Sequence, residues 1–231
     1  MTVSEMDTRL SRLLGDTSGH AWTQTAYRLP ALNSAQINLV IRILGYGSQF
    51  DSAYDLLTDI QRSDVVTIDT TGVDLDALEP NYEFMRNGYV ASKVIVDQKT
   101  KWVRRRPIRN LAEANNRFLK GSNIDPACYI LNNVYYLDID TGYYPVSGTI
   151  YWIHKPYTMV ISDAGTGEVT TCQLSGSFHE LIVSMAVEEC YRMVGDDQNM
   201  NRYTAISKEN DARIQEIVMG SVGEPKESGK K

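Results

Sequence analysis

The hydrophobic period changes twice along these 231 residues. Apolar residues recur at helical spacing as far as about Arg62, then fall into short alternating runs between turn residues from Val65 onward, and return to helical spacing from Ser177 to Met219. A segment patterned for one period buries its apolar residues poorly when forced into the other, so the order of periods restricts the fold. It predicts an α+β protein. The N- and C-terminal helices form an antiparallel bundle, and an antiparallel β-rich lobe is inserted between them, because two helical ends flanking a β block cover their apolar stripes most simply on each other. The expected divisions are 1–63 and 175–219 for the helices of the bundle, 64–174 for the lobe with one helix of its own, and 220–231 for a flexible tail.

Within the first division, Thr2 and Glu5 have capping-box spacing, Val3, Met6, Leu10, Leu13 and Leu14 share a face, and Gly15 is placed to end the helix. A second helical stretch begins near Trp22. Pro30 either opens a new segment or kinks it, and the stripe from Leu32 to Leu44 is wide enough for two neighbours. Gly45-Tyr46-Gly47 is expected to stop this helix, with a shorter one from Ser48 to about Arg62. In the lobe, Val65–Ile68 reads as a strand closed by Thr70-Thr71-Gly72. Tyr89–Val96 and Lys101–Arg105 flank a four-residue loop, Asp97-Gln98-Lys99-Thr100. Pro107 is placed to open a helix to about Leu119. Asn132-Asn133 joins two strands through a tight turn, and Gly148–His154 supplies another strand. Ser177 and Glu180 again have capping-box spacing ahead of a helix closed by Gly195, and a last helix runs from about Asp197 to Met219.

The chain has a formal charge of −6, which argues against a protein that coats nucleic acid electrostatically. Its 14 Tyr against 4 Phe supply rings with a polar tip, suited to strands and to half-wet protein interfaces alike. Cys128, Cys172 and Cys190 are odd in number and far apart, which predicts reduced, buried thiols rather than a disulfide framework. Glu5, Asp7, Arg9 and Arg12 interrupt the first turns, so no secretory leader is expected. The longest apolar stretch, Leu181 to Val187, is too short to span a bilayer. A soluble protein made in the cytosol, without membrane contact, is the expectation.

Chemical motifs fall short one by one. His179-Glu180 lacks the second His of a zinc-protease helix, since Val183 stands four residues on. Asp138-Ile139-Asp140-Thr141-Gly142 brings its Gly one residue early for a calcium loop and has Thr149 where the bidentate Glu belongs. Gly45-Tyr46-Gly47 has Phe50 in place of the third Gly of a dinucleotide fingerprint, and Gly229-Lys230-Lys231 lacks the Ser or Thr of a phosphate loop. No catalytic, metal or cofactor residues are assigned, and the expectation is a protein that is not an enzyme.

What remains is charge. Lys99, Lys101, Arg104, Arg105, Arg106 and Arg109 surround Trp102. Alternation in a strand puts Arg104 and Arg106 on one face and Arg105 on the other. Such a patch docks an acidic protein surface, pairs with local carboxylates, or contacts DNA phosphates, and the net negative chain disfavours the last. The candidate interface residues are Lys99, Lys101, Trp102, Arg104 and Arg106 on the hairpin, with Gly220, Lys226, Lys230 and Lys231 in the tail, which lacks hydrophobic periodicity.

Three stretches together resemble the head–tail connector adaptors of tailed bacteriophages. They are Leu13-Leu14-Gly15-Asp16 through Trp22 into Leu32-Asn33-Ser34-Ala35-Gln36, the β block ending in Tyr151-Trp152-Ile153-His154-Lys155-Pro156, and Ser177-Phe178-His179-Glu180-Leu181-Ile182-Val183 opening a helix. The resemblance implies a helical bundle with a β lobe, assembled as a ring, usually of twelve copies, around a DNA channel in the virion neck. The ring would bind the portal protein on one side and a tail or second neck protein on the other, and double-stranded DNA would pass without sequence recognition. It implies no catalytic residues. The alternatives are a DNA-binding accessory protein using the hairpin, another phage component such as a tail terminator, and an enzyme with a dispersed active site.

Overall fold

The computed structural model describes residues 1–15, 22–47, 52–78, 84–106, 120–162, 164–194 and 200–221. The chain is a mixed α+β protein that divides into two compact units, Met1–Ile60 with Pro156–Lys231, and Gln61–Lys155.

In the first unit, α1 spans Val3–Leu13 and has both bonds of the predicted capping box: Glu5 N–H donates to Thr2 Oγ1 at 3.2 Å, and Thr2 N–H to Glu5 Oε2 at 2.8 Å. Its buried face is Val3, Met6, Asp7 and Leu10; Leu13 is exposed instead, and a carboxylate takes a core position. A wide π turn over Gln24–Arg28 leads into α2, Leu29–Gly47. Pro30 therefore sits in the first turn of α2, where its missing N–H has no intrahelical partner to lose. The helix carries on through Gly45 to Gly47, so the glycines mark its last turn rather than an earlier stop. Of the expected third helix, residues 48–51 lie outside the described residues; the described part holds α3, Ser52–Asp55, and a 3-10 turn at Thr58–Ile60, and Gln61 already begins a strand.

α4, His179–Val194, is the centre of this unit and contacts α1, α2 and α5, the last being Met200–Ser221. Leu181, Ile182, Val183, Met185, Ala186, Val187, Cys190 and Tyr191 are all buried, so α4 is covered nearly all round. Each such aliphatic side chain contributes about 1.5–3 kcal/mol relative to exposure. The Ser177 cap does not form, since Gly176–Phe178 is a 3-10 turn whose preceding residue is Ser175. Among the described side chains of α5, the buried stripe is Asn210, Ile214 and Val218. Gly220 belongs to α5 and not to a tail.

The segment 156–174, expected with the lobe, groups with the helices. The reason is a set of amide side chains on α2. Asn33 brackets Met159 by accepting from its N–H at 2.7 Å and donating to its carbonyl at 3.1 Å. Gln36 donates to the Tyr157 carbonyl at 3.0 Å and accepts from Cys172 Sγ at 3.3 Å. Polar groups on a helix thus satisfy the backbone of a segment whose described strands are the short parallel pair β9, Thr158–Met159, and β10, Glu168–Val169, with one bridge from Thr171 to Thr2.

The second unit is built on two four-stranded sheets. One has the order β1-β8-β3-β4, with β1 at Gln61–Ile68, β3 at Phe84–Val96, β4 at Lys99–Trp102 and β8 at Val146–His154, all antiparallel. The other has the order β2-β7-β6-β5, from Val73–Asp74, Val134–Asp138, Ala127–Leu131 and Arg104–Arg105, with β5 parallel to β6 and the other pairs antiparallel. Residues from both sheets form one core, including Ile68, Val94, Ile150 and Trp152 with Cys128, Tyr135 and Leu137.

Two turns fix the register. Asn132 and Asn133 both have positive φ, 52° and 60°, as the tight turn requires. Asp97 and Gln98 do the same at 52° and 62°, so this hairpin has a two-residue turn and Lys99 and Thr100 belong to β4. The expected strand Lys101–Arg105 is broken at Val103. That side chain enters the core, its N–H bonds the Ser92 carbonyl of one sheet at 3.0 Å, and the next residue, Arg104, bonds the Pro126 carbonyl beside the other at 2.9 Å. Burial of one valine carries the chain from sheet to sheet. The helix expected from Pro107, with Arg109, lies outside the described residues, as do Gly195, Lys226, Lys230 and Lys231.

Candidate interaction face

Opposed residues of an antiparallel ladder project from the same side of the sheet. Val65 opposes Thr149, Thr149 opposes Lys93 and Lys93 opposes Trp102, so these residues form one row across β1, β8, β3 and β4. Ser63, Tyr151 and Ala91 make the row on one side of it; Thr67 opposite Ser147, and Ile95 opposite Thr100, lie on the other. The alternate residues Ile68, Val94, Val96, Ile150 and Trp152 point the other way, into the core.

The outward rows carry large apolar side chains in solvent: Val65 is 78% exposed, Trp102 66% and Ile95 51%. Trp102 and Tyr151 lie 5.9 Å apart, ring centre to ring centre, and the Lys93 ammonium sits 5.5 Å from the Tyr151 centroid, within cation–π range. Between them are short hydroxyl side chains. The face is aromatic and aliphatic, with Lys93 as its charge and with neither carboxylate nor imidazole in its rows. Such a surface can bury area against a protein.

The basic cluster is dispersed by the fold. Lys101 donates its ammonium to the Asn123 carbonyl, and Arg104 pairs with Asp125 at 3.3 Å on the surface. Arg106 is buried, with Nη2 donating to Asp138 Oδ2 at 2.7 Å and its guanidinium carbon 5.6 Å from the Tyr129 ring centre. Arg104 and Arg106 therefore do not share an open face. Arg105 lies 5.4 Å over the Tyr89 ring, and Lys99 is exposed beside the turn. Of the predicted hairpin residues, Trp102 is on the open face, Lys101 and Arg106 are tied into the unit, Arg104 makes a solvated surface pair, and Lys99 is exposed. Val65, Lys93, Ile95 and Tyr151 were not singled out from sequence, since an exposed apolar residue in a strand looks like a buried one until the sheet order is known.

The core beneath holds a polar chain. Tyr89 Oη is 2.9 Å from Ser92 Oγ and 3.3 Å from Cys128 Sγ, and Ser92 Oγ is 2.8 Å from Tyr135 Oη. Burial raises the pKa of both phenols and of the thiol, which keeps all three neutral at ordinary pH. They satisfy one another and offer no activated nucleophile. Cys172 and Cys190 are likewise buried and free, with the Cys190 thiol pushed up to about 12, chiefly by burial and then by Glu189. His179 is buried with Nε2 2.9 Å from the Leu174 carbonyl. Among the described residues, no three His, Cys, Asp or Glu gather to hold a metal ion, and no helix is long and apolar enough to cross a membrane. A scan of the chain against protein-family models finds no match, and a search of curated proteins finds none either.

Proposed function

We propose that this chain is a non-catalytic assembly subunit that works by docking on other proteins through the open face of the β1-β8-β3-β4 sheet. The observation that carries this reading is the exposure of Val65, Ile95 and Trp102 in adjoining rows of a sheet whose other side is packed. Solvent-exposed apolar area of this kind is costly unless a partner covers it. The sequence resemblance supplies the setting: a tailed-phage head–tail connector, made in the host bacterial cytoplasm and incorporated in the virion neck. It would form a ring of about twelve copies by that resemblance, bind the portal, join it to the tail or a second neck protein, and let DNA pass. In this reading the terminal helices act as one bundled body and the β unit as a lobe inserted into it. Support comes from the sequence order of the two units.

Engagement of Lys101, Arg104 and Arg106 within the unit weighs against the DNA-binding alternative, because those cations are already neutralised or anchored. The test is electron microscopy of the chain mixed with candidate portal proteins. Rotationally symmetric rings are the expected result. Isolated particles that bind duplex DNA with a steep salt dependence would instead favour the DNA-binding reading.

A further inference from the structure

The charge of the chain is unevenly divided. Of its 23 Lys and Arg residues 12 lie in Gln61–Lys155, against 11 of its 29 Asp and Glu, so the β unit is +1 and the remainder of the chain −7, together the −6 of the whole. The acidic unit also exposes large apolar side chains: Ile41 on α2, Met193 and Val194 at the end of α4, and Met219 on α5. The open sheet face is apolar and carries Lys93. We infer that the occupant of this face is the acidic helical unit of a second copy of the chain.

The inference rests on the assembly reading above and names the partner of that face. Three physical points favour it. Both units expose apolar side chains that a contact between them would cover. Electrostatics then favours unlike units: a contact of sheet on sheet brings two lysine-bearing faces together, whereas sheet on helices brings a lysine-bearing face to a body of charge −7. Finally, the two surfaces belong to different units, so the contact is one of unlike surfaces. Where two copies do not exchange it reciprocally, such a contact continues to a closed ring or an open filament.

Sedimentation velocity of the full chain over a concentration series, at low and high salt, tests this together with the variants Val65→Asp and Trp102→Asp. Both positions are exposed, and Val65→Asp leaves the Trp102–Tyr151 contact untouched, so at least one variant keeps its fold, which circular dichroism verifies. The expected result is association beyond dimers, weakened by salt and weakened about tenfold or more in each folded variant. Cross-linking of isotopically mixed copies should join the β unit of one copy to the helical unit of another. Association unchanged in both variants, or cross-links of sheet to sheet, overturns this inference while leaving the assembly reading standing. A wild-type chain that stays single at every concentration, alone and with portal protein, overturns both.

Discussion

Asp7 and Arg28 form a two-point ion pair inside the helical unit: Nε donates to Oδ1 at 2.8 Å and Nη2 to Oδ2 at 3.1 Å. Gln24 Nε2 adds a third bond to Oδ2 at 2.8 Å, and Arg28 Nη1 reaches back to the Trp22 carbonyl at 2.7 Å. The pair joins α1 to the π turn ahead of α2. Replacing Asp7 by Ala strands a guanidinium away from water and should cost about 3–5 kcal/mol in urea unfolding. Replacing both Asp7 and Arg28 by apolar residues should cost less than Asp7→Ala alone, because no charge is then left unpaired.

Arg104 and Arg106 should behave oppositely although they are two residues apart. Arg106→Ala removes the buried partner of Asp138, which also accepts from the Gly121 N–H at 3.0 Å, and should destabilise the β unit by about 3 kcal/mol. Arg104→Ala breaks a solvated pair with Asp125 and should cost about 0–1 kcal/mol. Thermal denaturation of the two variants side by side measures the contrast; equal losses would contradict it.

Gly148 lies on the inner side of β8, between β1 and β3. A Cβ there would sit 2.7 Å from Ile68 Cδ1 and 3.1 Å from the Lys93 carbonyl oxygen. The isoleucine can shift but the backbone oxygen cannot without disturbing the β3–β8 ladder. Gly148→Ala should therefore destabilise by about 1–3 kcal/mol and Gly148→Val by more, read from the shift of the chemical-denaturation midpoint.

His154, at the end of β8, is buried, and its pKa is lowered by that burial, with the nearby Arg62 cation acting in the same direction. Its Nδ1 is 2.6 Å from the Lys155 carbonyl, a bond that opposes the shift without reversing it. Because the folded chain holds this imidazole neutral more strongly than the unfolded chain does, the unfolded state binds the extra proton as pH falls below about 6.5. Stability from this group is complete above that pH and declines below it, by at most about 1.4 kcal/mol per pH unit. Unfolding curves between neutral and mildly acid pH should show this slope in the wild type and a shallower one in His154→Gln.

The sequence alone determined those features whose cause is local. Thr2 and Glu5 stand three apart and close a capping box; Asn132 and Asn133 tolerate the left-handed region and close a hairpin; the change of hydrophobic period separates helices from strands. Each depends on residues within a turn or two of one another. Tertiary structure decided what depends on distant partners. Val103 shows this most plainly: as an apolar residue amid cations it looked like the middle of a basic strand, yet its burial carries the chain between sheets and sends Arg106 inward to Asp138. The same cause pulled 156–174 to the helices, through Asn33 and Gln36. The open face with Val65, Ile95 and Trp102 was also out of reach, because period-2 alternation fixes that neighbouring residues point opposite ways, while only the packing of a second sheet decides which way is inside.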